Sequence, residues 1–403
     1  MASISLCMIT KNEEKFLEQC LESVKGIVSE IIIVDTGSSD KTKEIAKKYT
    51  DSIFDFEWQD DFSKARNFSI EKATEGWILV LDADETINPK DSEKIQNLLE
   101  NEVDAYQFIR RNYTDDAAVE NWLPNDRSYP KAASFSGFFP SKLVRLFRNS
   151  KGFVFKGVVH ETVDASITGK NGTIEVTDIP LHHFAYTDPA SLREKRQHYY
   201  ELSLKKTKDE PENCLAFFEL GVEAKELGKF KEALNAFIEV LKLQKDFVPA
   251  YLEMGWIFKH NAQYKQAMHC YQKALSYNPG SAVAYFGLGM SCYFLRDFPL
   301  AIEHLQKSAA LNHYNPQVFT SLGAMLEKEG RNKEAEAALL RSIELNAQNP
   351  KPFFNLAIVK EKTGNAEKAV ALYLQAVLLG HTKKLEIEKK IKDLKKKLSQ
   401  EMP

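Results

Sequence analysis

The stretch Trp77-Ile78-Leu79-Val80-Leu81-Asp82-Ala83-Asp84 decides the fold of the first half of this 403-residue chain. An apolar run that ends in carboxylates predicts a buried strand with Asp82 and Asp84 at its carboxyl end. Upstream, Ile31-Ile32-Ile33-Val34 ends in the same way at Asp35. Two such strands predict an α/β sheet with an acidic crevice at one edge. Hard oxygen ligands favour Mg²⁺ or Mn²⁺, which would carry a nucleotide diphosphate.

Strands and helices alternate over the first 110 residues or so. Ser3–Ile9 and Asp51–Phe56 have strand character, whereas Glu13–Val24, Lys41–Tyr49 and Phe62–Ala73 have helical periodicity. This βαβαβ order predicts a parallel sheet with right-handed crossovers. Residues 113–141 follow without a clear period and are rich in aromatic residues, so they are predicted to form either a functional loop or a structural cover over the sheet.

From residue 214 onward the sequence repeats with a period of 34 residues. Small residues recur at two positions and a large residue at a third, which lets paired helices cross closely. This is the tetratricopeptide pattern, and it predicts an all-α solenoid of five repeats with a last helix covering its end. The recurring residues are Gly221, Gly255, Gly289, Gly323 and Ala357; Ala233, Ala267, Ala301, Ala335 and Ala369; and Phe237, Tyr271, Leu305, Leu339 and Tyr373.

Composition excludes several classes of protein. A formal charge of −3 provides no basic field for nucleic acid, so no nucleic-acid partner is expected. No window approaches the roughly 18 apolar residues that a transmembrane helix needs, and the apolar start of the chain predicts a first β-strand rather than a signal peptide. Five widely spaced cysteines indicate reduced thiols and a cytoplasmic location. Whether the chain forms a homodimer is left open.

A family resemblance emerges from motifs spread over residues 3 to 200. Asn12-Glu13-Glu14, Val34–Thr42 and Leu81–Glu85 resemble a family 2 glycosyltransferase with the Rossmann-like GT-A fold, which binds a nucleotide sugar. A longer set of motifs is similar to the branch that holds the sublancin-type peptide S-glycosyltransferases and the lipopolysaccharide-core β-glucosyltransferases. These motifs are Trp58, Asp61-Phe62-Ser63, Ala65-Arg66-Asn67, Arg145-Leu146-Phe147-Arg148, Val159-His160-Glu161 and His183.

The resemblance implies a role for each candidate residue. Asp35 would hold the uracil or ribose of a UDP-sugar, Asp82 would face the ribose, and Asp84 would ligate the metal, Mn²⁺ or Mg²⁺. Arg66 would contact the diphosphate or, alternatively, form a structural ion pair with a nearby Asp. The other residues assigned to the nucleotide sugar are Thr10, Asn12 and Glu14, together with Lys195 and Arg196, for which a solvated helical face is the alternative.

His160 and Glu161 are adjacent, so on a strand they would point to opposite faces, and both would meet the substrate only if a turn breaks the strand. His160 and His183 are predicted as further metal ligands. Transfer with inversion, which the family implies, needs a carboxylate to take the proton from the acceptor nucleophile. Glu161 is the first prediction for this base, and the competing carboxylates are Asp126 and Glu85.

The inner surface of the repeats is predicted to be apolar and aromatic, which suits a peptide or protein segment better than a nucleotide sugar. About half of these aromatic side chains are expected to pack between repeats instead. The asparagine ladder of some peptide-clamping arrays is absent. The residues assigned to acceptor binding are Trp256, Phe286 and Tyr293, together with Trp122 from the aromatic segment.

These observations predict three parts: a GT-A domain at 1–205, the repeats at 206–380 and a capping helix at 381–403. The expected activity is transfer of a hexose or N-acetylhexosamine from a UDP-sugar to a Ser or Thr side chain, with Cys less favoured. The acceptor would be a protein such as a flagellin or an exported peptide, captured by the repeats. One alternative is a lipid-linked or cell-envelope glycan acceptor with the repeats as a docking arm, and another is a non-catalytic scaffold.

Overall fold

The computed structural model describes residues 3–115, 119, 121–184 and 189–401, without the side chains of 189–192, 400 and 401. The chain divides into two compact units. The first comprises Met1–Thr114 and Arg127–Asp209, and the second comprises Asp115–Asp126 and Glu210–Pro403. Part of the aromatic segment that the sequence attached to the sheet therefore groups with the repeats.

The elements up to residue 209 alternate much as the sequence predicts, and the short strand β7 belongs to the second unit. In chain order they are β1 Ile4–Thr10, α1 Leu17–Ser23, β2 Glu30–Asp35, α2 Thr42–Ala46, β3 Ile53–Asp55, α3 Phe62–Glu71, β4 Trp77–Val80, β5 Glu85–Ile87, α4 Ser92–Leu98, β6 Ala105–Thr114, β7 Leu123–Pro124, β8 Gly137–Arg148, α5 Asp164–Gly169, β9 Ile174–His183 and α6 Pro189–Asp209.

The sheet of the first unit has the strand order β3-β2-β1-β4-β8-β6-β9-β5. The four strands from β3 to β4 are parallel neighbours, which confirms the predicted α/β fold. Beyond β4 the sheet becomes mixed, because β8 runs antiparallel to β4 and β6, while β9 is parallel to β6. Since β1, β2 and β4 are parallel, their carboxyl ends meet at one edge, which brings the predicted carboxylates together.

Apolar side chains cover both faces of this sheet, as expected for parallel strands between helices. Successive residues of β1 alternate between two core clusters: Leu6 and Met8 pack on one face, and Cys7 packs on the other. Residues of β4 alternate in the same way, with Leu79 on the first face and Val80 on the second. The carboxyl edge is therefore the part of the central strands where polar side chains gather.

The second unit consists mainly of five helix pairs and a last helix. Their bounds are α7 Cys214–Glu226, α8 Phe230–Leu243, α9 Val248–His260, α10 Tyr264–Tyr277, α11 Ala282–Phe294, α12 Phe298–Leu311, α13 Pro316–Lys328, α14 Asn332–Leu345, α15 Pro350–Lys362, α16 Ala366–Leu378 and α17 Lys384–Glu401. The last helix packs on α16 through Ile387, Ile391 and Leu394, which are buried as its apolar face predicts.

The repeated glycines allow the two helices of a repeat to touch. A Cβ atom added to Gly255 would lie 2.7 Å from Tyr271 Cε1, and one added to Gly323 would lie 2.5 Å from Leu339 Cγ. Separations this short exclude any larger side chain unless the helices move apart. The structure thus confirms that small and large residues fit together inside each repeat. In the described part of the chain, no helix combines the length and the apolar character that a membrane span requires.

Candidate active site

Asp35 closes β2 and organises the loop that follows it. The backbone amides of Gly37 and Ser38 donate to its Oδ1 atom at 3.1 and 2.9 Å, and Thr10 Oγ1 donates to Oδ2 at 3.4 Å. Lys43 Nζ lies 3.6 Å from the same carboxylate. Gly37 has a φ of 107°, a conformation that favours glycine. Asp35 is only 1% exposed, so its carboxylate is directed toward the loop that it holds and away from solvent.

The loops after β1 and β2 are joined by side chains predicted to bind the nucleotide sugar. The backbone N–H of Ser39 donates to Asn12 Oδ1 at 2.8 Å, and that of Lys41 donates to Glu14 Oε2 at 3.1 Å. Asn12 adopts a φ of 58°, a left-handed conformation that asparagine tolerates well. Asn12 and Glu14 therefore lie at the predicted edge of the sheet. The contacts that their side chains make there connect the loop after β1 to the loop after β2.

Asp82, at the end of β4, lies between two buried arginine side chains. Arg66 Nη2 donates to Asp82 Oδ1 at 2.6 Å, and Arg145 Nη2 donates to Oδ2 at 2.7 Å. Burial alone would raise the pKa of Asp82, but the two guanidinium groups hold it well below its usual range. Each oxygen thus accepts from an arginine, the Asp82 side chain is 32% exposed, and its role toward a ribose stays a prediction. Arg66 forms the ion pair with a nearby Asp that the sequence offered as one of its two roles.

The same arginines contact two further carboxylates. Arg66 Nε donates to Glu161 Oε1 at 2.5 Å, and Arg145 Nη2 donates to Glu85 Oε1 at 2.7 Å. Glu85 is fully buried and also accepts from Arg110 Nη1 at 3.2 Å and from the Asp82 backbone amide. Three carboxylates and three guanidinium groups therefore alternate in one chain of contacts, which we call the charge chain: Glu161, Arg66, Asp82, Arg145, Glu85 and Arg110.

The charge chain includes both candidate bases of the first unit, Glu85 and Glu161. Glu85 is 0% exposed, so it is not accessible to an acceptor, and its predicted role as a competing base is wrong. The side chain of Glu161 is only 9% exposed and is paired with Arg66. Sequence reasoning gave no role to Arg145 or Arg110. A signal for Arg145 existed, because a charged residue inside the apolar run Leu143–Phe147 must be paired when it is buried.

Asp84 has different surroundings from those of Asp82. His183 Nε2 lies 3.3 Å from Asp84 Oδ2, and the backbone amide of Phe184 donates to Asp84 O at 3.3 Å. In the described residues Asp84 has no lysine or arginine partner, and its side chain is 32% exposed, the same fraction as that of Asp82. A carboxylate oxygen and an imidazole nitrogen this close are donors that Mn²⁺ accepts. The donor set therefore fits a divalent cation, with remaining positions for water and a diphosphate.

His160 does not join this pair. It lies in a turn with a φ of 54° between Val159 and Glu161, and its side chain is exposed. Lys156 and Thr162 exchange backbone hydrogen bonds across this turn, so the segment is not a continuous strand. The side chain of His160 makes no hydrogen bond or ion pair within the described residues. Those residues also contain no group of three or more His, Cys, Asp or Glu side chains arranged to hold a metal.

Glu13 lies close to the acidic edge. Burial raises its pKa to about 7, the ammonium of Lys195 opposes this shift, and Asp84 and Asp82 add to it. Lys195 Nζ is 3.9 Å from Glu13 Oε1, and the lysine side chain is 53% exposed. Lys195 therefore reaches the predicted edge from α6, while the neighbouring Arg196 is half-buried.

The predicted acceptor-binding residues divide into exposed and packed side chains. Trp256 is 39% exposed and stacks on His260 with ring centres 5.0 Å apart. Phe286 and Tyr293 are partly buried and pack against the core of the repeats. Trp122 is fully buried, so it offers no surface to an acceptor, contrary to prediction. Asp126 is exposed in the segment that groups with the second unit.

Two family comparisons agree with this division. Residues 5–157 match glycosyl transferase family 2, and residues 192–391 match the tetratricopeptide C-terminal domain of cilia and flagella-associated protein 70. The solved structure of YrrB, described as a TPR protein with an unusual peptide-binding site, is 21% identical with a TM-score of 0.42, covering 47% of this chain and 98% of that one.

Three curated relatives match parts of the chain. A TPR repeat-containing protein of Synechococcus elongatus is 38% identical over 41% of this chain and 37% of its own length. The prophage-derived glycosyltransferase SunS of Bacillus subtilis is 28% identical over 61% of this chain and 54% of its own. The lipopolysaccharide core biosynthesis glycosyltransferase LpsC of Rhizobium meliloti is 31% identical over 27% of this chain and 43% of its own. The chain spans about half the length of these relatives, or less. It carries a glycosyltransferase family 2 domain of Rossmann-like GT-A fold, followed by a tetratricopeptide repeat region.

Proposed function

We propose that this chain is a metal-dependent, inverting glycosyltransferase that uses a UDP-sugar. It transfers a hexose or N-acetylhexosamine to a Ser or Thr side chain of an acceptor protein, with Cys less favoured, and its repeats capture that protein. The observation that carries the proposal is the contact between Asp84 and His183 at 3.3 Å. Within the described residues Asp84 has no arginine partner, so a cation and its diphosphate can bind there.

In this proposal Asp84 and His183 hold Mn²⁺ or Mg²⁺. The bound metal would offset the charge that develops on the UDP leaving group. Arg66 supplies a second cationic contact, and one observation supports this role. Its Nη1 atom is buried and has no hydrogen-bond partner among the described residues, although Nε and Nη2 are both engaged. A buried donor without a partner is costly, so a phosphate oxygen is a suitable partner for it.

The proton of the acceptor nucleophile needs a carboxylate base. The side chain of Glu161 is only 9% exposed and its Oε1 atom accepts from Arg66 Nε, so we assign it to positioning Arg66. Asp126 is exposed, and it stays the proposed base. We expect Asp126→Asn to lower kcat by a factor of about 10² to 10⁴ while the KM for the donor changes little.

The repeats are assigned to the acceptor because Trp256 presents an exposed aromatic surface beside His260. Partly exposed aromatic side chains are common anchors for peptide partners. The resemblance to LpsC favours a second candidate, in which the acceptor is a cell-envelope glycan and the repeats dock an assembly complex. A cytoplasmic location is part of the proposal and follows from the cysteine pattern, all five cysteines being free thiols.

The test uses the full-length Asp84→Ala variant as bait in native lysate, with captured proteins identified by mass spectrometry. Each captured protein is then incubated with wild-type enzyme, Mn²⁺ and UDP-sugars. A partner that gains one hexose-type mass increment supports the proposal. Modification of an envelope glycan instead supports the second candidate.

Asp51→Ala, which removes an exposed carboxylate, is the matched control and should keep full turnover. If Asp84→Ala turns over as fast as this control, the metal role of Asp84 is wrong. If wild type binds neither UDP nor Mn²⁺, the chain is a scaffold rather than a transferase.

A further inference from the structure

Asn112 occupies a buried position between two strands at the proposed metal pair. It lies on β6, where its register partners are Phe139 on β8 and His183 on β9. The residue is only 4% exposed. Its Nδ2 atom donates to Phe139 O and to Ser141 Oγ, both at 3.0 Å. Because a backbone carbonyl can only accept, these contacts fix the orientation of the amide, with Oδ1 directed toward β9.

The fixed amide determines which nitrogen of His183 carries hydrogen. Asn112 Oδ1 lies 2.9 Å from His183 Nδ1, and an amide oxygen can only accept. The Nδ1 atom must therefore be the donor, and in the neutral ring the lone pair then resides on Nε2. That atom lies 3.3 Å from Asp84 Oδ2. Two acceptors facing each other at this distance are unfavourable without a positive charge close to both.

We propose that Asn112 is a positioning residue that holds His183 as the Nδ1–H tautomer and directs Nε2 toward Asp84. The inference rests on the proposed metal role of Asp84 and His183, and it adds a residue that no motif indicated. The side chain that orients a metal-binding histidine commonly contributes to the affinity for the metal. Asn112 performs this role from a neighbouring strand, through the β6–β9 register.

The tautomer is tested directly on the metal-free wild-type protein. Long-range proton–nitrogen NMR correlations of ¹⁵N-histidine-labelled full chain distinguish the two nitrogens, and a His183→Gln sample assigns the signals. We expect Nδ1 of His183 to carry hydrogen, whether Nε2 is bare or also protonated. Hydrogen on Nε2 with a bare Nδ1 would overturn the proposal, whatever the variants do.

Metal affinity provides the second readout, measured as free Mn²⁺ by electron paramagnetic resonance in the presence of UDP. Asn112→Leu keeps the approximate volume but removes the acceptor, and we expect it to weaken Mn²⁺ binding by about 10- to 100-fold. Asn112→Asp keeps an acceptor for Nδ1 and should bind Mn²⁺ at least about tenfold more tightly than Asn112→Leu. Asp51→Ala removes an exposed carboxylate outside the site and serves as the control, with unchanged Mn²⁺ affinity.

The outcomes separate this inference from the proposed function. If His183→Ala leaves Mn²⁺ affinity unchanged, the metal role of His183 is wrong, and the role of Asn112 that depends on it is wrong as well. If His183→Ala loses affinity while Asn112→Leu stays within about twofold of wild type, only the inference fails. If Asn112→Asp and Asn112→Leu lose affinity equally, the role of Asn112 is structural and the proposal is wrong.

Discussion

Asp82 and Asp84 have opposite electrostatic surroundings, although a single residue separates them. Asp82 receives hydrogen bonds from Arg66 and Arg145 at 2.6 and 2.7 Å, whereas Asp84 faces the imidazole of His183. Two guanidinium groups therefore compensate the charge of the first carboxylate, whereas among the described residues no lysine or arginine pairs with the second. Asp82 stabilises the folded site, and Asp84 remains available to a cation.

This difference predicts unequal effects on stability. Asp82→Asn should lower the free energy of unfolding by about 2 to 4 kcal/mol, because two buried guanidinium groups lose the charge they share. Asp84→Asn should change it by less than about 1 kcal/mol, because no buried lysine or arginine in the described part of the chain pairs with that carboxylate. Urea denaturation of the full chain, followed by tryptophan fluorescence, measures both. Equal losses would contradict the assignment.

Glu161 should behave as a positioning residue. Glu161→Gln keeps an acceptor for Arg66 Nε, so kcat should stay within about tenfold of wild type. Glu161→Ala leaves a buried guanidinium nitrogen without its partner and should lower the free energy of unfolding by about 1 to 3 kcal/mol. Steady-state kinetics with saturating donor measures kcat. A loss of about 10² or more in Glu161→Gln would instead identify Glu161 as the base.

Glu13 should make stability depend on pH. Its pKa is raised to about 7 from an ordinary value of 4.5, so the folded chain binds the proton more tightly than the unfolded chain. The stabilisation from the protonated form is complete below pH 4.5 and is lost as pH rises through 7. Glu13→Gln should therefore stabilise the chain more at pH 8 than at pH 5, by about 1 to 2 kcal/mol.

Thermal denaturation of Glu13→Gln and wild type across pH 5 to 8 measures this difference. Glu44→Gln removes one exposed carboxylate and serves as the control for the change in net charge. A gain that does not grow with pH would mean that Glu13 ionises in the folded chain as it does in the unfolded chain.

The glycines of the repeats should not tolerate a methyl group. Gly323→Ala places a Cβ atom 2.5 Å from Leu339 Cγ, so it should cost about 1 to 3 kcal/mol of unfolding free energy. Gly280→Ala is the matched control, since its Cβ would meet only Asn278 Oδ1 at 3.5 Å, and it should change stability by less than about 0.5 kcal/mol. Urea denaturation followed by circular dichroism compares the two.

Much of the fold could be predicted because its signals are periodic. The apolar runs before Asp35 and Asp82 predict parallel strands, and the 34-residue period predicts the repeats. Both signals are local or repeat at a constant step. The mixed half of the sheet was not predicted, because the pairing of β8, β6 and β9 depends on contacts between residues far apart in the chain.

The candidate site was predicted less completely, because several of its contacts also join residues that are far apart in the chain. The convergence of Thr10, Asp35 and Asp82 follows from the parallel order of β1, β2 and β4. By contrast, the charge chain requires Arg145 and Arg110 to reach the end of β4 from other strands. Asn112 likewise acquires its role only through its register with His183. Arg110 and Asn112 depend on strand register for their contacts, and neither lies in a motif that the sequence analysis recognised.

The close approach of small and large residues in the repeats bears on how the number of repeats can change when units are duplicated or deleted. Gly221 and Phe237, like Gly323 and Leu339, belong to the same repeat, so each 34-residue unit brings its own close-packed helix pair. Duplication or deletion of one whole unit would leave every such pair intact. An insertion of any other length inside a unit would separate the two partners. The packing inside each unit therefore survives a change in the number of repeats, whereas contacts between units, such as that of Gly287 with Tyr271, have to form anew.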